Sequence, residues 1–148
     1  MSNKAQISGE DYPDAAGKHC TDARMLLTGN RPDGAAYLAG YAVECMLKTL
    51  VQVERRHNQL IREHDLNTLS SKALDLATLP SGRTFRYLKH VFITNIPYGS
   101  PPAGWSETLR YHPQGTISAA QAGAWVTDAE NLYVEVIGGL VKDGEVTL

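Results

Sequence analysis

The chain has 148 residues, 43% of them apolar, and a net charge of -2. That is one ordinary domain, able to bury about two-thirds of its unfolded surface without help from a metal or a disulfide. A pI of ≈ 6.2 excludes a surface that coats nucleic acid through phosphate neutralisation alone, leaving at most a small local basic site.

Residues 1–10 read as a polar tail, and 11–144 as a single helical domain. No apolar signal core follows Met1, and nowhere do about 18 apolar residues run together, so a soluble cytoplasmic chain with no membrane association is expected. Cys20 and Cys45 lie inside helical patterns without C-x-x-C spacing, and read as buried thiols in a reducing compartment. No metal site and no cofactor is expected, since no Gly-rich phosphate loop, G-x-S-x-G or His-Glu-x-x-His occurs.

From Tyr12, the apolar positions Ala15, Ala16, Cys20, Ala23, Leu26 and Leu27 recur at spacings of three and four. They predict a first helix ending at Gly29-Asn30, with Asp11 or Asp14 at its start. Pro32 suits the first turn of a second helix that runs to about Arg56, antiparallel to the first across so short a connection. This second helix is the centre of the chain, because Ala35 to Leu50 is apolar on more than one side. Glu44 interrupts it, and an ionised carboxylate there needs a partner to offset several kcal/mol of desolvation on the order expected for a buried ion. Lys48 stands one turn on, in the favourable order for a helical pair.

Asp65 is the expected N-cap of a third helix carrying Leu66, Leu69, Ala73, Leu74 and Leu76, which Pro80-Ser81-Gly82 breaks. Arg83 to Phe92 reads as a short fourth helix with Phe85, Leu88 and Phe92 on one face. Asn95 to Thr116 is a long loop, expected to be ordered because it carries Trp105 and Tyr98, with a helical turn over Trp105 to Leu109. Ser118 to about Lys142 is the last long helix, its inner face made by Trp125, Ala129, Leu132, Val136 and Leu140, with Gly138-Gly139 weakening its end. No strand pattern appears. The expected fold is all-α, an up-and-down bundle of four to five helices with a long ordered loop before the last.

Gly40-Tyr41-Ala42-Val43-Glu44-Cys45-Met46-Leu47-Lys48, followed by His64-Asp65-Leu66-Asn67-Thr68-Leu69, resembles the second-helix signature and following His-x-Leu element of the HEPN family, an all-α group. The resemblance implies a homodimer acting on RNA or a nucleotide in a toxin–antitoxin or stress-defence setting, with a small nucleotidyltransferase as a possible partner. Catalytic members are metal-independent ribonucleases marked by an arginine and a histidine, four to six residues apart, near the start of the last long helix. Here that helix contains neither residue type, so an intact ribonuclease motif is not expected.

Just before it, Arg110-Tyr111-His112 supplies the residue types at a different spacing. Arg110 and His112 are the candidate catalytic pair of a divergent endoribonuclease, an imidazole to move a proton and a guanidinium to hold a phosphate. Alternatively Arg110 satisfies a carboxylate such as Glu44, and His112 is an ordinary loop residue. Tyr37, Tyr41, Glu44 and Lys48 form one helical stripe. With Arg110 and Tyr111, the residues Tyr41, Glu44 and Lys48 are the candidate nucleotide- or phosphate-binding set. Arg83 and His90 share a face at i, i+7 and read as solvated. His64 reads as a fixed histidine bonding or capping the local backbone, and His19 as a surface or subunit contact.

Overall fold

A computed structural model of the chain describes residues 9–88 in full, the backbone of 89–91, and residues 96–148. Among the described residues the fold is an all-α helical bundle with no strand. Its helices are α1 (Tyr12–Thr28), α2 (Pro32–Arg55), α3 (Leu66–Ala77), α4 (Phe85–Val91), α5 (Ala119–Tyr133) and α6 (Gly139–Lys142). None of them is long and apolar enough to cross a membrane.

The termini follow from local chemistry. The Asp11 carboxylate caps α1 by accepting from the Asp14 N–H at 3.3 Å, and Asp65 caps α3 by accepting from the N–H groups of Asn67 and Thr68. Ser118 caps α5 through the Gln121 N–H. Pro32 opens α2, and Arg56 closes it in the left-handed region at φ 57.

α1 runs antiparallel to α2. Lys48 lies over the Tyr12 ring, His19 faces Tyr41, and Leu26 packs at Gly34. α5 covers the other side of α1, where Arg24 pairs with Glu130 and Tyr133 lies against Gly17. The side chains from Ala42 through Val53 on α2 are all buried, which confirms that helix as the axis of the core.

Three sequence expectations change. Phe85 does not face inward: it is exposed, and Tyr87 and Leu88 are the buried residues of α4. The reason is the partner set, since Tyr87 packs on Gly139, where a side chain would collide with its ring, and bonds Asp143 through its hydroxyl. Phe92 and the side chain of His90 lie outside the described residues. The last helix is not regular, because a π-helical turn over Val134–Gly138 separates α5 from α6, just where the two glycines lower helix propensity. Packing also continues past Lys142, with Val146 buried and Glu145 paired to Arg83 at 3.1 Å.

The loop before α5 is ordered by its tryptophan. Trp105 is fully buried against Gly40 and donates its indole N–H to the Tyr37 carbonyl at 2.9 Å. Its own backbone N–H bonds the Pro97 carbonyl at 2.7 Å, closing the loop on itself. A 3-10 turn over Glu107–Tyr111 follows, and Asp33 at the start of α2 accepts from the N–H groups of Gly115 and Ile117, both at 2.7 Å. Three separate anchors therefore fix Arg110 relative to α2.

Both thiols are buried, and burial pushes each up to about 12. Since the thiolate is the reactive form, the native protein is expected to resist iodoacetamide at pH 8 while both cysteines react in denaturant. Mass spectrometry reads the difference, and rapid labelling of Cys45 in the folded state would contradict this packing.

Candidate functional site

The buried carboxylate of Glu44 is the centre of the site. It is 2% exposed, and Lys48, equally buried, meets its Oε1 at 2.7 Å in the expected i,i+4 pair. The second partner is His64, whose Nδ1 lies 3.0 Å from Oε1 and 3.1 Å from Oε2. Glu44 is therefore satisfied by His64 and not by Arg110. His64 neither bonds the nearby backbone through its ring nor caps the turn; Asp65 does that.

The connection between α2 and α3 is strapped down to deliver this histidine. Tyr12 clamps Ile61 through one hydroxyl, accepting from its N–H at 2.9 Å and donating to its carbonyl at 3.2 Å. Gln52 donates to the Gln59 carbonyl, and the Glu63 carboxylate accepts from the N–H groups of His64 and Asp65. The side chain of His64 itself stays 43% exposed. With Nδ1 on the carboxylate, Nε2 is the ring nitrogen left for a ligand.

These residues wall a cavity of about 620 Å³ between the start of α1, the middle of α2 and the strap. Tyr41, Glu44, Lys48 and His64 line one side of it; Tyr12, Lys18 and His19 line the other. His19 is thus half-buried at a cavity wall and packs its ring 5.8 Å from Tyr41. Desolvation, and then the Lys18 ammonium, lower its pKa from the ordinary histidine value. Glu10, Asp11 and Asp14 stand at the α1 end and make that mouth acidic.

Arg110 does not line the cavity but reaches its edge through two tyrosines. Its guanidinium lies 4.9 Å over the exposed Tyr111 ring, and the neighbouring Tyr37 holds it above the ordinary arginine value. Tyr37 in turn packs edge-on against Tyr41, their ring centroids 5.0 Å apart. Burial, and then the neighbouring Tyr37 hydroxyl, raise the Tyr41 pKa above that of an ordinary phenol. A continuous strip of cation and aromatic surface therefore runs from Tyr111 and Arg110 across Tyr37 to Tyr41 and the cavity.

His112 goes elsewhere. It lines a separate cavity of about 450 Å³ with Asn30, Arg31 and Gln114, at the turn between α1 and α2. Its backbone is extended, directly after the 3-10 turn that carries Arg110. Arg83 is held by Glu145 and the Val53 carbonyl, a structural role at the opposite end of α2.

The sequence pointed to Tyr41, Glu44 and Lys48 but missed the other wall. Tyr12 and His19 are i, i+7 on α1, the same spacing used for the α2 stripe, and pairing the two antiparallel stripes would have found them. Among the described residues no group of three or more His, Cys, Asp or Glu side chains could hold a metal ion. No family model matches the chain, and no characterised protein or solved structure matches it either.

Proposed function

We propose that the chain is a HEPN-like helical module that holds single-stranded RNA, or a nucleotide, without an intact Arg/His ribonuclease motif. It acts as a homodimer in a toxin–antitoxin or stress-defence setting, beside a nucleotidyltransferase. The observation that carries the binding reading is the strip from Arg110 and Tyr111 through Tyr37 to Tyr41. Bases stack on exposed aromatic rings whatever their identity, and a guanidinium fixed over a ring is suited to the intervening phosphate. A chain of pI ≈ 6.2 holds RNA only where such a local patch exists.

Fluorescence anisotropy with a labelled single-stranded oligoribonucleotide tests this reading. Arg110→Ala is expected to weaken binding about tenfold. Tyr111→Ala removes a stacking surface of ~1–3 kcal/mol per base. Competition by a mononucleotide at similar concentration selects nucleotide binding over RNA. Unchanged affinity in the Arg110→Ala/Tyr111→Ala double variant would remove the strip from the account.

A further inference from the structure

We propose that His19 makes the contact between α1 and α2 acid-sensitive: its neutral imidazole holds the two helices together beside Tyr41, and protonation releases the ring into the adjoining cavity. The device lies in the cavity wall opposite Glu44 and works without a ligand, so it is independent of the RNA-binding reading.

Three observations carry it. His19 is half-buried where α1 meets α2, its ring centroid 5.8 Å from that of Tyr41. Its Nδ1 is shut off from solvent and has no hydrogen-bond partner among the described residues. The side chain lines the cavity of about 620 Å³, so room for a hydrated ring lies directly beside it. In the neutral form the orphaned Nδ1 is a lone pair without a donor, a modest cost. In the cation it is a charged N–H without an acceptor, and the penalty for an unmet charged group is larger.

The surrounding groups do not relieve that cation. On α1 itself Lys18 opposes it and Asp22 favours it, the ammonium acting more strongly. From α2 the ring meets Tyr41, a phenol that burial keeps neutral, and the Cys45 thiol in the same cavity is kept neutral likewise. Glu44 is engaged by Lys48 at 2.7 Å and by His64 at 3.0 Å. His64, from the connection between α2 and α3, brings a second imidazole to the cavity. Glu10, Asp11 and Asp14 stand at the mouth, where Asp11 caps the helix. α5 covers the other side of α1, and its Glu130 is paired with Arg24.

Burial, and then Lys18, therefore hold His19 below the ordinary histidine value of 6.5. The unfolded chain takes up this proton as pH falls through 6.5, and the folded chain only at lower pH. Between the two the unfolded state binds more protons, so folding stability falls on acidification. The smallest rearrangement that hydrates the cation turns the ring into the cavity and gives up Tyr41. That phenol also packs edge-on against Trp105, ring centroids 5.3 Å apart, so the loosening reaches the residue that orders the loop.

Urea unfolding of the full chain at about pH 7.5 and about pH 5.5 tests the device, with His19→Phe and His19→Gln beside the parent. Phe keeps a ring against Tyr41 without a titratable nitrogen, and Gln covers the case in which that ring does not fit. The parent is expected to lose urea midpoint on acidification and each folded variant to lose less, the other histidines titrating alike in all three. Nuclear magnetic resonance of the His19 ring in the parent needs no variant: its titration is expected below that of an unfolded-chain histidine, with the Tyr41 ring signals moving over the same range. A parent midpoint that holds at the lower pH, variants that lose as much as the parent, or a His19 that titrates at or above the ordinary value would each overturn the proposal.

Discussion

Glu44→Ala is expected to lower folding stability by ~3–5 kcal/mol, the effect of leaving one member of a buried ion pair without its partner. Lys48 is 4% exposed, its ammonium 2.7 Å from the carboxylate and 5.3 Å from the Tyr12 ring centroid. An aromatic face alone offsets only ~0.5–2 kcal/mol of its desolvation. The loss comes from an uncompensated charge more than from missing attraction, so removing both charges is expected to cost less than removing one. Glu44→Leu/Lys48→Met is therefore predicted to be more stable than Glu44→Ala, although it gives up His64's anchor. Urea unfolding of the single and double variants checks the order. A Glu44→Ala variant within 1 kcal/mol of the parent, a margin ordinary for surface changes, would mean that the pair is not buried as described.

The second large effect is at the contact that orders the loop. Trp105→Ala is expected to cost ~3–5 kcal/mol, the range for emptying a large aromatic site in a core. Besides the cavity it leaves, the substitution releases the Tyr37 carbonyl and the anchor that holds the 3-10 turn. Gly40→Ala perturbs the same contact from the other side. A Cβ there would fall inside the indole, and the rigid ring packed below Tyr41 has no flexible end to give way. Overpacking of that kind costs ~1–3 kcal/mol or more. In the Trp105→Ala background the sign reverses: with the ring gone, alanine regains ~1 kcal/mol over glycine in a helix interior. Thermal or urea unfolding of the four proteins in this cycle reads the reversal, and additive costs would show that the two residues do not touch.

What the sequence disclosed follows from the range of the forces involved. Helix boundaries at Asp11, Pro32, Asp65 and Ser118 are set by neighbouring residues, and were readable because capping is local. The Glu44–Lys48 pair was readable for the same reason, one turn of a helix apart. His64 as the second partner of Glu44 was not, since it depends on how a connection of irregular backbone is strapped over α2 by Tyr12 and Gln52. Phe85 shows the limit of periodicity in a helix this short. Seven residues make two turns, and the side that faces inward is decided by Gly139 and Asp143, which lie far along the chain. That His112 opens on a cavity at the turn between α1 and α2 is likewise a matter of where the 3-10 turn ends.

The orientation of one imidazole decides most between this account and its alternatives. Nitrogen-15 correlation spectra of the His64 ring, recorded where the imidazole is neutral, report which nitrogen carries the proton. The account predicts the Nδ1–H form, locked by the carboxylate, and its loss in Glu44→Gln while the helical spectrum persists. A proton found on Nε2 in the parent chain would contradict it, because the ring would then have no donor to give Glu44.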